Sequence, residues 1–164
     1  MARLVLTAEE VARLLDEHTD FVGWQIVVMG AICVPESGRD AYAHNTNHSN
    51  DDGDPATPLP ATHRSGDDGL WQVNSFWLPK LLARKGLAVP AVHEYGPLVY
   101  DPIQNAKWAF LMWDQQFKDT AGTYSQKLIG AYSLWSAYKN GLHKAHIAAS
   151  HAAALAAGVD LATG

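Results

Sequence analysis

The sequence predicts a mainly α fold of the α+β kind, a helical core with a small β or irregular lobe. Three observations carry this expectation. Apolar residues recur at helical spacing in several segments, bounded by recognisable caps. One stretch, residues 38 to 68, interrupts them and is rich in Gly, Asp, Asn, His, Pro and Ser. The C-terminal tail, residues 142 to 164, is dominated by alanine, the strongest helix former.

The elements follow in order. Thr7-Ala8-Glu9-Glu10 is a capping-box pattern that opens a helix within residues 1–19. Val11, Leu14 and Leu15 form its apolar stripe, and His18-Thr19-Asp20 closes it. Residues 21–34 are apolar nearly all round, which marks a central, buried helix. Pro35 disfavours helical geometry at Val34, so the helix is expected to end or kink there, directly before Glu36. The polar excursion of residues 38–68 has room for a short hairpin, and loops of this length are commonly functional. Apolar character returns over residues 69–76. A helix is expected over 77–85, closed by Gly86. Asp101-Pro102 opens another, with Asp101 as N-cap and Pro102 at the first helical position. It carries Ala106, Ala109, Phe110 and Trp113 toward the core. Residues 125–138 read as helical or mixed, and 142–157 as a helix ended by Gly158. Without an internal repeat or a composition break, the chain reads as one domain over 1–164.

The chain has 164 residues, 48% apolar and 18% charged, an ordinary globular balance. Its 12 Lys and Arg against 17 Asp and Glu give a net charge of −5. That leaves no basic footprint for a phosphate backbone, so a nucleic-acid partner is not expected. A grip on an acidic polymer would have to come from a shaped groove. The N-terminus lacks the layout of a secretory signal, and no apolar run is long enough to span a bilayer. Synthesis in the cytoplasm without membrane insertion is expected, with a separate route to any external target. The lone cysteine, Cys33, lies in an apolar run and reads as a buried small hydrophobe rather than a nucleophile.

Glu36 is the residue with the clearest chemical potential. It stands where an apolar helix meets a polar excursion. A carboxyl against apolar surface holds its proton toward neutral pH, as a general acid must. Taken alone, the same glutamate reads more readily as a solvated charge at a helix end.

The order of motifs adds to this. The chain runs Pro35-Glu36-Ser37-Gly38, then Gly69-Leu70-Trp71-Gln72-Val73-Asn74, then Tyr100-Asp101-Pro102 with Asn105, then Trp135-Ser136-Ala137-Tyr138. In this order, over roughly residues 20 to 142, the sequence resembles the lysozyme-like superfamily. It is most similar to the soluble lytic transglycosylase-type domains of actinobacteria and their phages. The resemblance implies a lysozyme-like fold with a substrate cleft between a helical core and a small lobe. It implies Glu36 as catalytic acid and base on the β-1,4 bond of peptidoglycan. Ser37, Trp71, Gln72, Asn74, Asn105, Trp135 and Tyr138 make up the implied substrate-binding set. Gly69-Leu70-Trp71-Gln72 matches the family's cleft-floor strand, with Asn74 one period beyond Gln72 on the same face. Tyr132 competes with Tyr138 for the late tyrosine, and Asp101 reads as a cap. Pro35 departs from the family, which normally continues its helix through this position.

Asp67 lies at the offset where animal-type lysozymes carry a second carboxylate. A retaining glycosidase needs one as nucleophile or stabiliser, whereas a lytic transglycosylase uses the substrate's own hydroxyl. Asp67 and Asp68 also read as turn residues before a strand. The resemblance therefore implies lytic transglycosylation first, hydrolysis by Glu36 with Asp67 second. A third possibility is a phage virion or tail protein that keeps the fold with little activity, and a fourth an enzyme on chitin. The expected partners are a peptidoglycan glycan strand and, for a phage protein, other virion or lysis proteins. The expected place of action is the bacterial cell wall.

Of the tryptophans, Trp24, Trp77, Trp108 and Trp113 read as core, Trp71 as core or cleft, and Trp135 as cleft. No metal or cofactor is expected. Asp51-Asp52-Gly53-Asp54 lacks the EF-hand spacing, and His44, His48 and His63 lack zinc-ligand spacing. His143, His146 and His151 read as one exposed helix face.

Overall fold

In a computed structural model, which describes residues 3–46 and 66–163, the chain is mainly helical with a small antiparallel sheet. The Asp51–Asp54 cluster, His48 and His63 lie outside the described residues.

Helix α1 (Ala8–His18) opens on the expected capping box. The Glu10 N–H donates to the Thr7 hydroxyl at 3.1 Å, and the Thr7 N–H donates to the Glu10 carboxylate at 2.7 Å. Helix α2 (Trp24–Ser37) is the central element and packs against α1 and the C-terminal helices. It does not end at Val34. It continues through Pro35 and carries Glu36 in its last turn. A proline this close to a helix end costs one ladder bond and some crowding. Burial of Ile26, Val27, Met29, Ile32 and Cys33 on the same helix outweighs that. Gly38 then closes the helix in the left-handed region (φ 64°), its N–H bonding to the Val34 carbonyl at 2.7 Å.

Three short strands follow: β1 (His44–Thr46), β2 (Gly66–Asp68) and β3 (Val73–Asn74), antiparallel in that order. In β2, Asp67 pairs with Asn45 on one side and Asn74 on the other. Asp67 and Asp68 are thus strand residues, not a turn. Gly69-Leu70-Trp71-Gln72, expected as a strand, is instead the turn joining β2 to β3. Its ends, Gly69 (φ 76°) and Gln72 (φ 49°), both take left-handed conformations. Gln72 and Asn74 therefore do not share a strand face.

Helix α3 (Trp77–Arg84) matches its expected span, whereas α4 (Val92–Val99) was not expected from the sequence. Helix α5 (Pro102–Asp119) starts as expected, with the Asp101 carboxylate accepting the Gln104 N–H at 2.8 Å. Helices α6 (Tyr124–Tyr132) and α7 (Ser136–Lys139) resolve the mixed segment. The tail is not one helix from Leu142: a 3₁₀ helix (Leu142–His146) precedes α8 (Ile147–Ala156).

The larger core joins α1, α2, α5, α6 and α8 with Leu70, Trp71 and Trp135. A second cluster, built on Val73, Leu78, Leu82, Tyr95, Val99, Tyr100 and Trp108, ties β3, α3 and α4 to the other side of α5. Trp108 and Trp113 are core, as expected. Trp24 is not: it is exposed and stacks on His151, ring centroids 4.9 Å apart. His143 is buried against Tyr138, so the three C-terminal histidines do not form one exposed face.

Candidate active site

Glu36 is half-buried, and one carboxylate oxygen accepts the Ala137 N–H at 3.0 Å. Burial raises its pKa above the ordinary glutamate value. The Ala137 hydrogen bond opposes that rise, and the negative charge of Asp67 adds to it. The outcome is a carboxyl that holds its proton more tightly than one in water.

Asp67 is placed by strand alternation. Neighbouring side chains on a strand point to opposite faces, so Asp67 and Asp68 face apart. Asp67 lines the groove beside Glu36 and accepts a hydrogen bond from the Asn74 amide at 2.8 Å. Asp68 is buried. One of its oxygens accepts the Tyr100 hydroxyl at 2.5 Å and lies 2.5 Å from His44 Nδ1. His44 thus pins the sheet through a carboxylate. Among the described residues, no group of three or more His, Cys, Asp or Glu is placed to hold a metal.

Two hollows meet at this pair of acids. A cleft of about 710 Å³ is walled by Trp77, Lys80 and Arg84 of α3 and by Met112, Gln115 and Gln116 of α5. A smaller hollow of about 410 Å³ is lined by Ser37, His44, Asn45 and Leu142. Glu36, Asp67, Gln72 and Ser136 belong to both. The acids therefore sit where one hollow passes into the other, not at the end of a blind pocket.

The remaining residues expected at the site divide into those in the groove and those behind it. Gln72 and Asn74 line the larger cleft. Gln72 is braced by donating its amide to the Gly69 carbonyl at 3.0 Å. Ser37 lines the smaller hollow, but its hydroxyl donates to the Cys33 carbonyl at 3.0 Å and accepts the Arg39 N–H. It secures the helix end that carries Glu36.

Trp71 is fully buried and donates its indole N–H to the Met29 carbonyl at 3.0 Å. Asn105 is also fully buried. Neither is exposed to a ligand, which corrects the expectation that they bind substrate. Both build the floor from behind. Trp135 is nearly buried, donates to the Trp71 carbonyl at 2.7 Å, and shows only an edge to the cleft. Tyr138 packs between Tyr132 and His143 and lines neither hollow. Tyr132, its competitor, is buried too.

Sequence reasoning placed Trp77 in the core. It is 61% exposed and stands in the cleft wall. A signal for this was present. Leu78, Leu81 and Leu82 carry the buried stripe of α3, and at 100° per residue Trp77 falls on its flank. Lys80 and Arg84, on the same flank, were missed as well. Cys33 is buried as expected, and burial pushes its thiol up to about 12. No helix among the described residues is long and apolar enough to cross a membrane. No protein-family model, curated protein or solved structure matches this chain.

Proposed function

We propose that this chain is a lysozyme-like glycosidase that cleaves the β-1,4 bond of peptidoglycan glycan strands, with Glu36 as general acid. The observation that carries the reading is the position of Glu36 and Asp67 at the junction of two hollows. An enzyme that cuts within a polymer must hold sugars on both sides of the bond, with its acid between them. Glu36 fits the chemical requirement too, because burial and the charge of Asp67, against the Ala137 hydrogen bond, raise its pKa above the ordinary glutamate value. It donates that proton to the glycosidic oxygen as the bond breaks. Positive charge then develops on the ring, and the Asp67 carboxylate lies in the same groove to stabilise or trap it. Trp77 offers an exposed ring to the apolar face of a sugar, while Gln72 and Asn74 offer amides to its hydroxyls.

The motif resemblance implies lytic transglycosylation, in which the substrate's own hydroxyl attacks and leaves an anhydro sugar. The placement of Asp67 favours the alternative, hydrolysis with a second carboxylate. The two differ in product. Wild type, Glu36→Gln and Asp67→Asn are incubated with peptidoglycan from an actinobacterium, and soluble fragments are analysed by mass spectrometry. Glu36→Gln is expected to lose activity by at least about a hundredfold, the usual contribution of a positioned acid. Reducing-end products that vanish in Asp67→Asn support hydrolysis. Anhydro-muropeptides that persist in Asp67→Asn support transglycosylation. Folded wild type that releases no more than Glu36→Gln refutes both and favours a structural role in a phage virion.

A further inference from the structure

We propose that the α3 wall of the larger cleft is an anion subsite that reads the carboxylates carried by peptidoglycan, on the lactyl group or on the peptide stem. This rests on the glycan-cleaving reading for the neutral sugars but on separate residues for the charge.

Trp77, Lys80 and Arg84 are spaced i, i+3 and i+7 on α3 and share one face. All three line the cleft that contains Glu36. The Lys80 ammonium is held 3.6 Å from the Phe76 ring centroid and 5.0 Å from that of Trp77. Such cation–π contact fixes where the charge sits without cancelling it. Among the described residues, Lys80 makes no ion pair. Arg84 has one, a loose contact of 4.0 Å to Asp119 with both side chains more than half exposed. A pair of that kind is weak and leaves the guanidinium open to a better acceptor.

The cleft is therefore polarised along its length. Two of its carboxylates, Glu36 and Asp67, sit at the bond-breaking end; at the α3 end the Lys80 and Arg84 cations outnumber the one carboxylate there, Asp119, which Arg84 contacts at 4.0 Å. This stands out in a chain of net charge −5. A sugar stacked on Trp77 would present its substituents directly to the Lys80 ammonium. A neutral polymer of N-acetylglucosamine offers that ammonium hydroxyl and amide oxygens but no anion. A muramic acid unit supplies a carboxylate, either its own lactyl group once the peptide is removed or the carboxylates of the attached stem. The arrangement thus selects bacterial wall over chitin.

The test uses the catalytically silent Glu36→Gln protein, so that binding is read apart from turnover. Sedimentation binding is measured against intact actinobacterial peptidoglycan. It is repeated with the same material after carbodiimide conversion of its carboxyls to neutral amides, and with amidase-stripped glycan bearing free lactyl groups. The Glu36→Gln protein is expected to bind intact wall about fivefold more tightly than amidated wall, as two exposed ionic contacts allow. Adding Lys80→Gln and Arg84→Gln is expected to abolish that ratio. Adding Lys80→Arg and Arg84→Lys is expected to preserve it, with thermal melting confirming that each variant is folded. A charge-dependent ratio on stripped glycan assigns the lactyl group, and its loss there assigns the stem. If Glu36→Gln binds intact and amidated wall equally, or the Gln pair keeps the ratio, the subsite is refuted. If wild type proves inactive while the ratio holds, the glycosidase reading fails and the subsite stands.

Discussion

Asn105 is buried at the first turns of α5, and each of its side-chain polar atoms is engaged. Its amide donates to the Asp68 carbonyl at 2.9 Å and to the Val99 carbonyl at 2.8 Å. Its oxygen accepts the Trp71 N–H at 3.1 Å. One side chain thus ties the β2–β3 turn to the end of α4. Asn105→Leu keeps similar bulk and removes all three bonds. Each bond contributes about 1 kcal/mol net, but a buried partner left unsatisfied costs about 1–3 kcal/mol. Three orphaned groups, partly relaxed, give a loss of about 3–6 kcal/mol, a large share of ordinary domain stability. For a chain of this size that lowers Tm by about 10 °C or more. Urea and thermal unfolding followed by circular dichroism read the change. Asp101→Ala is the control, because it removes an exposed cap from the same helix and costs about 1 kcal/mol. A loss below about 1 kcal/mol for Asn105→Leu would refute the reasoning, since the turn would then be held by its apolar contacts alone.

Three further outcomes follow from the same geometry. Gly69→Ala is expected to destabilise by at least about 2 kcal/mol, because a methyl there would lie 2.3 Å from the Asn105 amide nitrogen and 2.8 Å from the Val99 carbonyl, on a backbone with φ 76°; calorimetry showing a near-neutral change would contradict it. The alkaline limb of binding or activity should follow Glu36, which works protonated and whose pKa is raised. Asp67→Asn removes one cause of that rise, so the Glu36 pKa should move down toward the ordinary value, read by NMR titration of labelled glutamate; an unmoved or raised pKa would sink the coupling. Because the folded pKa lies above the unfolded one, Glu36 favours folding below the unfolded value, and that contribution is lost as pH rises through the folded pKa. Finally, Cys33 should resist a disulfide reagent at pH 8 in the folded protein and react fully in denaturant; rapid labelling of the native chain would show the thiol is accessible.

Elements that announce themselves locally were legible in the sequence. Thr7 with Glu10, and Asp101 with Pro102, satisfy orphan N–H groups within one turn, so their signal needs no tertiary context. Helix α4 was not legible because eight residues containing Gly96 and Pro97 carry little helical signal of their own, while Tyr95 and Val99 are held by burial. Pro35 misled for the opposite reason: its local penalty is real, and the packing of α2 overrides it. Gly69-Leu70-Trp71-Gln72 is expected as a strand because it resembles the family's cleft-floor strand, yet Leu70 and Trp71 are buried from a turn that enters the core. Burial of an aromatic is set by that path. Trp71 and Trp77 could not be sorted into floor and wall by composition.

Which of two adjacent aspartates meets Glu36 is a question of the same kind. Strand alternation guarantees that one faces the groove and one faces away, but the pattern Asp67-Asp68 does not say which. A slip of one residue in β2 would bury Asp67 and send Asp68 to the acid. Register is decided at the neighbouring turn, where Gly69 admits the close approach of Asn105 and Asn105 grips the Asp68 carbonyl. The buried face adds the Tyr100 hydroxyl, which only Asp68 can accept in this register. A residue that never touches the groove therefore selects the carboxylate that does. Loss of Asn105 should accordingly cost function beyond its cost in stability: at a temperature where Asn105→Leu remains folded, the Glu36 pKa should already have shifted, because Asp67 is no longer held beside it.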